Sequence, residues 1–188
     1  MRGTIFRTDW GWVGLAATER GVRAVVLPKA TRRAVERELR GLNGNVGAGL
    51  IPARLKREGV NPSPTNGSGG NAADHLKAAQ DTITAYLAGK TRVLHLPLDL
   101  DGQPSFRVKV WKVLQCIPYG RVRSYGWVAR KVGKPQAARA IGGACGANPV
   151  PLLVPCHRVI AGDGSLGGFS GGVGVKKRLL RLEGLTPK

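Results

Sequence analysis

The sequence predicts an α+β fold: a small N-terminal antiparallel-sheet domain with helices, followed by a mainly helical C-terminal domain containing a helix-turn-helix. Three observations carry this expectation. Strand-type patterning fills residues 4–27, helical periodicity returns at 73–87 and 106–114, and a glycine separates two short helical stretches at 125–132 and 136–145. The domains are expected to divide between 102 and 103. A chain of 188 residues is long enough to bury a core in such an arrangement.

Thr4-Ile5-Phe6-Arg7 and Trp12-Val13-Gly14-Leu15-Ala16 read as two strands. A turn at Glu19-Arg20-Gly21 leads to a third, Val22-Arg23-Ala24-Val25-Val26-Leu27, rich in β-branched residues. Residues 30–40 read as a charged helix. Residues 41–71 are dominated by Gly, Asn, Ser and Pro, a composition that cannot repay the entropy of ordering and is expected to form a flexible insertion. Residues 73–87 form a helix with Leu76, Ala79, Ile83 and Leu87 on one face and Gly89 as its stop. Residues 91–100 are expected to be extended, with His95 facing solvent between Leu94 and Leu96; His75 is expected on the surface. Pro104-Ser105 opens a helix with Phe106, Val110, Val113 and Leu114 inward, ended by Ile117-Pro118-Tyr119-Gly120. Cys116 at that end reads as a packing residue.

The formal net charge is +19 and unevenly spread: residues 103–188 hold 15 of the 30 Lys/Arg but only 2 of the 11 Asp/Glu. That imbalance points to a polyanion, bound through phosphate neutralisation and counterion release; simple solubility is the alternative. Cys116, Cys145 and Cys156 lack the number and spacing of a disulfide framework, and His75, His95 and His157 form no metal motif, so neither metal nor cofactor is expected. No apolar run approaches the ~20 residues that cross a bilayer, no membrane role is expected, and a reducing cytoplasm suits free thiols.

The chemistry concentrates in Leu152-Leu153-Val154-Pro155-Cys156-His157-Arg158-Val159-Ile160. The apolar run reads as a short buried strand interrupted by proline. An imidazole and a guanidinium beside Cys156 would lower its pKa and favour thiolate, whereas the same pattern also fits a buried, inert cysteine. Upstream, Ser124 can cap the helix 125–132, Gly133 stops it, and Pro135 suits the start of the next. The second helix is nearly all Ala and Gly. Base-edge reading in the major groove wants several long polar side chains, and beyond Gln136 only Arg139 supplies one. Small residues let a backbone approach closely, either into a minor groove or against another helix.

Arg139-Ala140-Ile141-Gly142-Gly143, Asn148-Pro149-Val150-Pro151, Pro155-Cys156-His157-Arg158, Gly168-Phe169-Ser170-Gly171-Gly172 and Leu182-Glu183-Gly184, in this order, closely resemble the O6-alkylguanine-DNA alkyltransferases. The similarity runs from about Phe106 to Leu185. Residues 1–102 resemble the family's variable N-terminal domain more weakly, which implies a ribonuclease-H-like α/β unit. The resemblance implies direct repair by irreversible, stoichiometric alkyl transfer from O6-alkylguanine in double-stranded DNA, without sequence preference, by a monomer, with O4-alkylthymine as a further substrate. It implies Cys156 as nucleophile and His157, acting through a water, as base, with Glu183 orienting the imidazole and Asn148 bracing the turn. Tyr125 would donate a proton or a hydrogen bond to the guanine, in a pocket with Val159, Phe169, Ser170 and Lys176, where the Cys156 and Val159 carbonyls hold the guanine amino group. Ala137, Ala138, Ala140, Gly142, Gly143 and Arg158 would meet DNA, and Arg139 would fill the gap left by the extruded nucleotide. Two departures stand out: no cysteine among residues 1–102 to hold the zinc of some members, and Phe169 where a tyrosine is common.

These residue types fit displacement at a saturated carbon, which wants a soft nucleophile and a proton donor for the leaving base. O6 is inaccessible in a stacked duplex, so the nucleotide must be extruded. Three other readings remain: an alkyltransferase-like lesion sensor, although such proteins lack the acceptor cysteine; a thiol hydrolase using Cys156 and His157; and a transcriptional role, which the alanine-rich helix disfavours.

Overall fold

A computed structural model describes residues 1–44 and 70–186; the insertion read at 41–71 therefore lies largely outside the described residues. Strands β1 (Arg2–Thr8), β2 (Gly11–Thr18) and β3 (Gly21–Lys29) form an antiparallel meander in the order β1-β2-β3. Alternation decides its two faces. Val13, Leu15 and Ala17 of β2 enter the main core. Gly14, on the opposite face, lies against Val35 and Leu39 of helix α1 (Arg32–Gly44), so a Cβ there would collide with both side chains. Helix α2 (Ala72–Leu87) covers the main-core side, burying Leu76, Ala79, Ile83, Tyr86 and Leu87. Its start is fixed by a capping box whose first residue, Asn71, was expected in the insertion: Asn71 accepts from Ala73 and Asp74, and Asp74 accepts from the Asn71 amide.

The stretch 91–100 is extended but forms no strand. It meets the sheet through an isolated bridge, Leu98 against Val22, and through Asp99, which accepts from the Thr18 hydroxyl at 2.7 Å and pairs with Arg23 at 3.1 Å. His95 is exposed between half-buried Leu94 and Leu96, whereas His75 is half-buried, its Nε2 3.2 Å from the Glu19 carbonyl. The outer edge of β3 does more: the Val25 amide donates to the Pro149 carbonyl at 2.8 Å, tying the sheet to the segment that precedes Cys156.

Helix α3 (Ser105–Gln115) buries Val110, Trp111 and Leu114. Cys116, expected to pack, is exposed instead, because the helix ends there and its thiol turns back to the Lys112 carbonyl. The helix-turn-helix follows as α4 (Tyr125–Lys131) and α5 (Ala138–Gly146). Ser124 caps α4 by accepting from the Trp127 amide at 3.1 Å. The Trp111 indole donates to the Ala144 carbonyl and pins α5 on α3. Helix α6 (Val173–Leu182) closes the molecule. One continuous apolar cluster runs from Phe6 and Leu15 through Tyr86, Trp111 and Ile141 to Val154 and Leu179. The α+β architecture expected from the sequence is the one observed.

Candidate active site and the small-residue helix

The segment read as a buried strand is mostly turn. Leu152 has a left-handed backbone (φ 75°), residues 156–158 form a 3-10 turn, and only Val159–Ile160 is a strand, β5. An apolar run cannot distinguish a strand from a buried turn, and the organising residue here is Asn148. Its amide nitrogen donates to the Val154 carbonyl at 2.8 Å and to Cys156 Sγ at 3.2 Å, while its oxygen accepts from the Val150 amide. A left-handed leucine costs about 1–3 kcal/mol and persists only where its surroundings impose it. Asn148 supplies that imposition and delivers a hydrogen bond to the sulfur.

β5 pairs in parallel with β4 (Arg123–Ser124), in the register Arg123↔Val159 and Ser124↔Ile160. This two-residue ladder sets the first residue of α4, Tyr125, beside the exit of the Cys156 turn. Tyr125, Gly142, Cys145, Gly146, Cys156, Gly168, Phe169 and Ser170 line one cavity of about 360 Å³. Cys156 is buried at its base, whereas Gly146, Gly168 and Ser170 are exposed, so the cavity reaches the surface beside α5. Gly167, at φ 64°, lets the loop cross the Tyr125 ring; a Cβ there would come within 3.1 Å of the hydroxyl. Burial pushes the Tyr125 phenol above its ordinary value, with the nearby Cys145 and Cys156 thiols adding to the effect, so it stays protonated.

Two sequence expectations about charge are corrected. Burial pushes the Cys156 thiol up, and the opposing Asn148 hydrogen bond and Lys176 charge do not overcome it. The resting group is therefore a thiol. Arg158, expected on the DNA surface, points inward and is 6% exposed. Its Nε donates to both Glu183 oxygens at 3.0 Å, one terminal nitrogen to Oε1 at 2.9 Å and the other to the Ile117 carbonyl at 2.6 Å. With its charge matched in the interior, it has none to offer a phosphate.

His157 is fully buried, and its Nε2 lies 2.9 Å from Glu183 Oε1. An ionised carboxylate only accepts, so Nε2 carries the hydrogen and Nδ1 keeps its lone pair. That Nδ1 is buried with no partner among the described residues. Burial, opposed by Glu183, holds His157 below its ordinary imidazole value. Burial would raise the Glu183 carboxyl, yet hydrogen bonds from His157, Arg158 and Tyr86 outweigh it and bring it to about 2; the Gly120 amide also donates to Oε2. The 3-10 turn removes the difficulty that neighbours in an extended chain face opposite ways.

The other expected pocket residues divide. Phe169 and Ser170 line the cavity. Lys176 does not: it is fully buried, and its ammonium donates to the Val159 carbonyl at 2.6 Å and to the Leu166 carbonyl, fastening the loop that carries Phe169. Val159 is likewise buried, its carbonyl already engaged by that ammonium. Cys145, given no role from the sequence, lines the cavity, with burial first and then the neighbouring Cys156 sulfur pushing its thiol up to about 12. Its spacing from Ile141 on a helix was the available signal.

On α5, Ala138, Arg139, Ala140 and Gly143 are exposed and Ala137 and Gly142 half-buried, while Ile141, Ala144 and Cys145 face the core. Arg121, Arg130, Lys131 and Lys134, before, on and after α4, are also exposed.

The helix-turn-helix and the buried, hydrogen-bonded cysteine in the cavity beside it both lie in the stretch that matches a DNA-acting methyltransferase family. Residues 105–185 match the family model described as 6-O-methylguanine DNA methyltransferase, DNA binding domain. The methylated-DNA--protein-cysteine methyltransferase of Mycobacterium tuberculosis (strain ATCC 25618 / H37Rv) is 43% identical over 137 residues, 73% of this chain and 81% of the relative. The Shigella flexneri protein of that name is 40% identical over 72% of this chain and 74% of the relative. The crystal structure of Mycobacterium tuberculosis OGT in complex with DNA superposes with a TM-score of 0.69 at 32% identity, covering 97% of this chain and 92% of that one. The O6-methylguanine-DNA methyltransferase of Pyrococcus kodakaraensis KOD1 gives 0.67 at 27% identity over 98% and 99%. The chain belongs to the methylated-DNA--protein-cysteine methyltransferase family.

Asn148 provides a first test of the site. Replacing it with alanine leaves the Val154 carbonyl and Val150 amide unmet and removes the donor to sulfur. The variant is expected to lose about 1–3 kcal/mol of stability. Its alkyl-transfer rate should fall roughly 10- to 100-fold, the scale of one hydrogen bond to a charged atom. Urea denaturation and single-turnover kinetics measure the two effects.

Proposed function

We propose that this protein repairs alkylated DNA directly, moving the alkyl group of O6-alkylguanine onto Cys156. The observation that carries the reading is the position of that sulfur: at the base of a cavity whose rim is the exposed small-residue helix α5. The nucleotide leaves the stack, at a cost of a few kcal/mol, and enters the cavity. Arg139, exposed on α5, occupies the vacated space, while the Ala-Gly face lies in the minor groove without reading bases.

In the transfer the Cys156 proton passes through a water to His157 Nδ1, and the sulfur attacks the alkyl carbon as the carbon–O6 bond breaks. Tyr125 donates its proton to the departing guanine and is reprotonated from the imidazolium. The net change is thiol to thioether and O6-alkylguanine to guanine. The Glu183 carboxylate steadies the imidazolium while it exists. A thioether offers no leaving group to water, so each molecule acts once, as a monomer and without a cofactor. Division at residue 102 into a sheet-bearing unit and a DNA-binding alkyl-acceptor unit, and work in the reducing cytoplasm, belong to the same reading.

The test is incubation with a duplex containing O6-methylguanine, followed by intact-mass and peptide mass spectrometry. The expected result is a gain of one methyl in place of hydrogen, confined to Cys156. Tight binding to the lesion with no gain in mass would identify a sensor instead.

A further inference from the structure

The proposed alkyl-acceptor site receives a side chain from the sheet-bearing part of the molecule. Tyr86, in the last turn of α2, is fully buried, and its hydroxyl lies 2.6 Å from Glu183 Oε1 and 3.4 Å from His157 Nε2. Its ring stands edge-on to Tyr119 at 6.2 Å. We propose that Tyr86 is a positioning residue for alkyl transfer: its hydroxyl fixes the Glu183 carboxylate and thereby holds His157 with Nε2 protonated and Nδ1 free for the thiol proton. The inference rests on the functional reading above.

The donor directions follow from the chemistry. An ionised carboxylate cannot donate, so the Tyr86 hydroxyl donates to Oε1, and its own lone pairs face the His157 Nε2–H. Burial first, then the Glu183 carboxylate, drive the Tyr86 phenol far above its ordinary range, so it remains a donor throughout. A phenylalanine would fill the same space without placing a polar atom in the interior. The hydroxyl is thus explained by what it holds.

The groups facing His157 set the pH response. Glu183 at the end of α6, Arg158 in its own turn, Lys176 in α6 and Tyr86 in α2 all act on it, with Cys156 and Asn148 on the sulfur side. Donation from Tyr86 draws negative charge away from Oε1. Without it the carboxylate pulls harder on the imidazole, which then protonates at higher pH and is lost as a base.

The experiment is the pH profile of single-turnover methyl transfer from an O6-methylguanine duplex, for wild type and Tyr86→Phe, with the denaturation midpoint of each. The variant is expected to react about tenfold more slowly near neutral pH, the scale of one lost hydrogen bond, with the acid limb moved to higher pH. Site-specific 3-fluorotyrosine at 86, a stronger donor, should move that limb to lower pH, and it preserves the fold if phenylalanine does not. An unchanged profile, or a uniform loss of rate with no movement of the limb in either protein, overturns the inference. Wild-type protein that takes no methyl at any pH sinks the functional reading itself, a different result.

Discussion

Cys156→Ala is expected to abolish alkyl transfer while leaving DNA binding intact. In the proposed transfer the sulfur is the nucleophile: Asn148 reaches it at 3.2 Å, and the next residue, His157, has an Nδ1 with no partner among the described residues. Cys145 shares the cavity, but its thiol is pushed up to about 12, and no neighbour among the described residues donates a hydrogen bond to it. It therefore does not substitute. Cys156→Ser keeps the shape but replaces sulfur with a harder, more basic oxygen, and its rate should fall by at least about a thousandfold. Neither change touches the exposed face of α5. Gel-shift affinity for a lesion duplex should match wild type, while intact mass stays constant. Alkylation of Cys156→Ala at another residue with wild-type kinetics would remove Cys156 from its assigned role.

Glu183→Ala should produce the largest loss of stability. Glu183 receives Arg158, His157, Tyr86 and the Gly120 amide, and its side chain is fully buried. Its removal leaves the Arg158 guanidinium in the interior without a counter-charge, which costs about 3–5 kcal/mol. That is a large part of the 5–15 kcal/mol typical of a domain (~1 to 2 factors of ten in population for each 1.4–2.8 kcal/mol). Glu183→Gln retains an acceptor and should lose less.

The same cluster predicts acid sensitivity. The Glu183 carboxyl sits at about 2 when folded against an ordinary value of 4.5. At 1.36 kcal/mol per unit this corresponds to roughly 3 kcal/mol. That stabilisation is fully present above 4.5 and is lost as pH falls towards 2. His157 is also held below its ordinary value of 6.5, so acid must charge it in the interior, and its share fades as pH drops below 6.5. Urea midpoints measured from pH 7 downwards should fall steeply for wild type and only weakly for Glu183→Ala.

The sequence made the secondary elements legible where the signal was local. β-branched alternation located the meander, Ser124 marked the start of α4, and the Ala-Gly composition of α5 described its exposed face correctly. The turn around Cys156 was misread because its shape depends on a left-handed leucine and an asparagine four to eight residues upstream, neither of which alters an apolar pattern. Arg158 and Lys176 were misplaced for a related reason. Charged side chains are usually exposed, and burial becomes visible only when their partners, Glu183 and two backbone carbonyls, are in place. Tyr86 lies 71 residues from His157, and helical periodicity marks it simply as an inward residue.

The uninterrupted apolar cluster has a thermodynamic corollary. Phe6, Tyr86, Trp111 and Leu179 share one interior, and the Val25–Pro149 hydrogen bond stitches its two sides together. Neither the meander nor the helical bundle keeps a complete lining when separated from the other. Heat therefore dissolves them together, and calorimetric and van't Hoff enthalpies should coincide across one transition.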